Sequence, residues 1–115
     1  MAYPKKAEIY LVNFDPTIGH EVKKKRPALI ISNNIHNQYS PLVTVAPLSS
    51  NVDRVYPFEV YISKGMAGLN DNSKIMIIQL RSTDKKRLLN KIEAIEDKEI
   101  LNKVNRIIRE HFDLW

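Results

Sequence analysis

The chain has 115 residues and no cysteine. At ~100–200 residues per domain this leaves room for one compact unit, residues 1–115, and it excludes a disulfide framework or a zinc–thiolate site. Eighteen basic against thirteen acidic residues give a net charge of +5 and a pI near 9.5, so the surface attracts polyanions or acidic partners. The three glycines, Gly19, Gly65 and Gly68, are too scattered for a dinucleotide fingerprint or a phosphate-binding loop, and no apolar run approaches the ~18 residues of a membrane span. The first residues lack a secretion signal, which fits a cytoplasmic protein.

Ala7 to Phe14 is rich in aromatic and aliphatic residues and reads as the first strand. The polar stretch Asp15 to Lys25 that follows exceeds a usual ~2–5 residue hairpin loop, and such long loops are functional or disordered. Further strands are expected at Arg26 to Ser32, Leu42 to Leu48, Tyr56 to Ile62 and Lys74 to Leu80. Tyr56, Phe58, Val60 and Ile62 alternate with Pro57, Glu59 and Tyr61, giving one core-facing side, and Pro57 suggests an edge position. The other strands are apolar throughout, as if buried on both faces. Ser82 or Thr83 is placed to cap a short helix to about Asn90, Lys91 to Ile95 reads as a sixth strand, and Asp97 caps a final helix. That helix carries Ile100, Leu101, Val104, Ile107, Ile108, His111 and Phe112 at three-and-four spacing, so His111 is expected to pack. The sum is a mainly β (α+β) fold, a small antiparallel barrel of five or six strands with a C-terminal helix; a sandwich is the alternative.

Chemistry has few candidate positions. Lys23, Lys24, Lys25 and Arg26 stand where the second strand begins, followed by Pro27. A basic tetrad is commonly a solvated charge run; the functional reading is a phosphate-binding rim in which Arg26, adjoining the strand, offers a fixed forked guanidinium. Ser49 and Ser50 end another strand as turn formers or as polar site residues, and no Gly-x-Ser-x-Gly elbow marks a serine nucleophile. His20, His36 and His111 show no metal-ligand spacing, so no metal site is expected. Phe14, Tyr39, Tyr56 and Phe58 are core residues first and base-stacking candidates second.

Asn13-Phe-Asp-Pro-Thr17, Gly19-His-Glu21, Lys25-Arg-Pro-Ala-Leu-Ile-Ile-Ser-Asn33, Tyr39-Ser-Pro41, Val45-Ala-Pro-Leu-Ser49, Tyr56-Pro-Phe-Glu-Val60 and Gln79-Leu-Arg-Ser-Thr-Asp-Lys-Lys-Arg-Leu88 together resemble the MazF/PemK-type toxins. The resemblance runs through nearly the whole chain in order. It implies an SH3-like barrel forming a homodimer and cleavage of single-stranded RNA without a metal or cofactor. It also implies inhibition of translation and growth, and an acidic cognate antitoxin of the MazE kind. By the same resemblance Arg26 is the catalytic arginine, Ser49 holds a position often taken by threonine, and Glu21, Lys25, Asn33 and Gln79 belong to the RNA groove. Two other readings are a non-catalytic gyrase poison like CcdB and a plain RNA-binding barrel. The chain ends Asp113-Leu-Trp115, without the Trp-Gly-Ile ending of the gyrase poison.

Overall fold

The computed structural model describes residues 2–16, 18–20 and 24–115. The strands are β1 (Glu8–Asn13), β2 (Lys25–Ile30), β3 (Leu42–Ser49), β4 (Glu59–Ile62), β5 (Ser73–Met76), β6 (Arg81–Asp84) and β7 (Leu88–Ala94). Helix α1 (Asn34–Tyr39) follows β2, and α2 (Lys98–His111) follows β7. Every pairing is antiparallel, in the order β4-β5-β3-β2-β1-β7, with β6 also on β3. The mainly β class with a C-terminal helix therefore holds. Seven strands stand where five or six were expected, and among the described residues the ladder is an open path from β4 to β7 rather than a closed ring. No described helix is long and apolar enough to cross a membrane.

β2 and β3 carry apolar residues on both faces because each face meets a different core. Ile9, Leu29, Ala46, Leu48 and Ile75 join Val104 and Ile107 of α2 in the larger one. Val12, Phe14, Ala28, Ile30, Val43 and Val45 form the smaller one on the other face. Successive side chains point to opposite faces, so Ala28 and Ile30 serve one core and Leu29 the other. Val60 and Ile62 of the edge strand β4 are buried, but Tyr56 and Phe58 precede the strand and stack on one another in solvent, rings 5.2 Å apart.

The expected strand Lys74 to Leu80 is interrupted by its pairing with β3. Leu48 faces Ile75 and Val45 faces Arg81, so the partner chain carries surplus residues between these points. They are taken up by a 3-10 turn, Ile77–Gln79, that separates β5 from β6.

The helix expected from Ser82 or Thr83 to Asn90 does not form. Asp84 does cap, accepting the Lys86 N–H at 2.8 Å, but the result is one 3-10 turn, Lys85–Arg87. A cap contributes ~1 kcal/mol, too little to outweigh the pairing of buried Thr83 with Val43 and of Leu88–Ala94 with β1. The expected strand from Lys91 is thus the second half of β7.

Asp97 caps α2 as expected, accepting the Glu99 and Ile100 N–H groups. His111 does not pack in the core: the helix has run past the sheet at its last residue, and the exposed imidazole meets Phe112 edge-on at 5.0 Å. Helix α1 has no apolar stripe to announce it. Asn33 caps it, and fully buried Asn37 pins it by donating to the Ser32 carbonyl at 2.8 Å and accepting the Ser32 hydroxyl.

Candidate active site

The site begins where the smaller core runs out. β2 and β3 pair Ala28 with Pro47, Leu29 with Ala46 and Ile30 with Val45. Arg26 lies two residues before Ala28 on β2, and Ser49 two residues after Pro47 on β3, so both stand just beyond the last residues paired between the two strands. The ends of the two strands thus bring a cation and a hydroxyl to one cleft.

Arg26 is half-buried, and its Nη1 donates to the Leu48 carbonyl at 3.4 Å, which holds the guanidinium against the end of β3. Burial pushes its pKa below the ordinary arginine value. A guanidinium partly stripped of water gains more from an anion than a solvated one. Ser49 Oγ accepts the Asn51 N–H at 3.1 Å, which orients the hydroxyl, and its O–H remains a donor. Lys74, paired with Ser49 on β5, is committed elsewhere: its ammonium donates to the Arg54 carbonyl at 2.7 Å and pairs with Glu59 at 3.2 Å.

The start of β2 is anchored independently. The Phe14 N–H donates to the Lys24 carbonyl at 3.1 Å, and the Lys24 N–H to Asp15 Oδ1 at 2.8 Å. Arg87 Nη1 ties the other side of the loop base, donating to the Asn13 carbonyl at 3.1 Å and that of Asp15 at 2.5 Å.

Lys25 and Arg26 line a cleft of about 570 Å3 together with Leu48 to Asn51, the turn around Gly68 to Ser73, and Ile92 of β7. Gly68 eases that turn. Its φ is +71°, and a Cβ there would lie 2.7 Å from Glu93 Oε2 and 3.3 Å from Ile92 Cγ2. Among the described residues no three His, Asp or Glu side chains gather as a metal-ligating set.

Of the residues singled out in the sequence, Lys25, Arg26 and Ser49 thus share the cleft. Asn33 and Gln79 do not line it. Asn33 accepts the His36 N–H at 2.8 Å as the α1 cap, and Gln79 ends the 3-10 turn, with Nε2 3.7 Å from Met76 Sδ. Glu21 and Lys23 lie outside the described residues. Sequence reading missed Asn70 and Asp71 as cleft residues and Arg87 as the loop anchor. The close pair Gly65 and Gly68 signalled a turn there, but nothing local showed that the turn faces Arg26.

Fold and site define a small antiparallel β protein with a cleft lined by an arginine and a serine hydroxyl. The chain belongs to the family described as the PemK-like, MazF-like toxins of type II toxin-antitoxin systems, whose profile matches residues 5–112. It is 34% identical over 116 residues to endoribonuclease MazF9 of Mycobacterium tuberculosis, covering 96% of this chain and 98% of that protein. It is 32% identical over 106 residues to endoribonuclease EndoA of Bacillus subtilis, covering 91% of this chain and 90% of that one. The crystal structure of MazF from Deinococcus radiodurans superposes with a TM-score of 0.83 at 25% identity, over 99% of this chain and 100% of that one.

Proposed function

We propose that this chain is the toxin of a type II toxin–antitoxin pair and an endoribonuclease that cuts single-stranded RNA, including mRNA, within a short sequence motif, with the Arg26–Ser49 cleft as its active site. The observation that carries this reading is that Arg26 and Ser49 line one cleft, in a chain whose relatives are named endoribonucleases.

RNA supplies its own nucleophile, the 2′-hydroxyl beside the scissile phosphate. The protein's task is therefore alignment, proton transfer and stabilisation of charge, none of which demands a metal or cofactor. In this reaction the 2′-oxygen forms a bond to phosphorus and the bond to the 5′-oxygen breaks, leaving a 2′,3′-cyclic phosphate and a 5′-hydroxyl. Arg26 grips the phosphate and stabilises the charge that grows on its oxygens, and Ser49 donates a hydrogen bond to one of them. Arg26 acts here as the cation at the phosphate. Lys25 extends the positive rim along the strand, and Glu21, Asn33 and Gln79 serve nucleotides flanking the cut.

The toxin unit spans residues 1–115, works in the cytoplasm and forms a homodimer, which doubles the cleft. Its antitoxin is an acidic MazE-like chain that competes with RNA for the basic rim. Purified protein is expected to cut single-stranded RNA in excess EDTA and to leave cyclic-phosphate ends; strict dependence on added magnesium overturns the metal-free mechanism.

A further inference from the structure

Among the described residues, Asp71 is the single acidic one lining a cleft that also holds Lys25 and Arg26. Its position is fixed by its neighbours. Gly68 is pressed against Glu93 and Ile92, Leu69 is buried, and the Gly65 N–H donates to the Leu69 carbonyl at 2.9 Å. Asn72 and Ser73 spend their side chains on the turn itself: Asn72 Oδ1 accepts the Lys64 N–H at 2.7 Å and Ser73 Oγ donates to the Asp71 carbonyl at 3.0 Å. Asn70 and Asp71 do not. Asp71 is exposed, and it makes no ion pair with Lys25 or Arg26.

A carboxylate held in a cleft for a polyanion repels every phosphate that enters, so it meets favourably only a neutral donor: a ribose hydroxyl, which fills one oxygen, or a base edge, which can fill both. Ionised carboxylate accepts only, through two oxygens side by side. Among the four RNA bases, guanine alone presents two adjacent parallel donors on one edge, N1–H and the 2-amino group. Cytosine and adenine place a ring acceptor beside their amino group, and uracil flanks its single N–H with two carbonyls. Asn70, the next residue along the same wall, carries an amide donor suited to guanine O6. The repulsion also works against wrong bases, which leave the carboxylate unpaired.

We infer that Asp71, supported by Asn70, forms a guanine-reading subsite on the turn that walls the cleft, and so sets part of the sequence motif. This rests on the ribonuclease reading above. The test is cleavage of a randomised RNA pool by the full chain, followed by kcat/KM on the preferred oligonucleotide and on the same strand with inosine, which lacks the 2-amino group. Guanine is expected within two nucleotides of the cut, with roughly a tenfold loss for inosine, the value of one hydrogen bond to a charged group. In Asp71→Asn the guanine-to-inosine ratio should fall to within about twofold, and Asp71→Ala should do the same. A motif without guanine at those positions, or a ratio unchanged in both variants, overturns the inference while leaving the nuclease intact. Cleavage that survives in a folded Arg26→Ala protein overturns instead the assignment of the cleft on which the inference rests.

Discussion

The two faces of the β2–β3 pair are built from alternating residues of the same strands, yet they do different work. One face, through Leu29, Ala46 and Leu48, lies under α2 in the larger core. The other, through Ala28, Ile30, Val43 and Val45, forms a smaller core and then runs on into Arg26 and Ser49. A packed face tolerates no gap, and a face that ends in polar groups leaves a cleft. The strand register is what carries the rigidity of the first to the chemistry of the second.

This division can be broken by mutation. Arg26→Ala is expected to lower RNA cleavage by ~10³-fold or more, because it removes the preorganised charge at the phosphate. Its melting temperature should stay near that of the wild type, since Arg26 belongs to neither apolar core. Ile107→Ala should show the converse. Ile107 is 5% exposed in the larger core, and its truncation should cost roughly 2–4 kcal/mol in urea denaturation, with cleavage per folded molecule preserved. A folded Arg26→Ala protein that cuts normally, or an Ile107→Ala protein as stable as wild type, would break the comparison.

Ser49 sharpens it further. Ser49→Ala removes one donor and should reduce cleavage by ~10²-fold, and Ser49→Thr, which keeps the hydroxyl, should restore most of the rate. Loss in Ala without rescue in Thr would mean that the strand end is sensitive to shape rather than to the hydrogen bond.

The sequence shows the α2 stripe and the β1 to β3 strands because their signals are local: a three-and-four spacing, an Asp97 cap and apolar runs. The break at Ile77–Gln79 was not legible, since it follows from a register mismatch with a strand some thirty residues away. The cap expected at Ser82 or Thr83 was overridden by tertiary pairing, and Asp84 caps a single turn instead. Arg26 and Ser49 could be picked out individually, through an Arg-Pro strand start and a strand-end hydroxyl. Their juxtaposition is a property of pairing, as is the approach of the Gly68 turn. Arg87 was invisible because its partners are backbone carbonyls far along the chain, and Asn37 because its bonds to Ser32 depend on how the chain enters α1, which no sequence pattern marks.

The smallest expected effect lies at the start of β1. Glu8 is 7% exposed; its Oε1 accepts the Lys5 N–H at 2.6 Å, and its Oε2 pairs with Lys91 at 2.7 Å. Burial alone would raise the carboxyl's pKa, but the bonds from Lys91 and Lys5, with the charges of both lysines, outweigh it and hold the value below the ordinary one. A carboxylate whose folded pKa lies below its unfolded one, near ~4.3, contributes stability that is complete above that pH and is lost as pH falls through the folded value. Because Lys91 is half exposed, solvent screens the pair and limits the contribution to about 1 kcal/mol. Glu8→Gln should therefore be about 1 kcal/mol less stable than the wild type at pH 7, with the gap closing toward pH 3 and with RNA cleavage unchanged. A gap that persists undiminished in acid would show that Glu8 acts through shape and hydrogen bonding, as core residues do, and not through its charge.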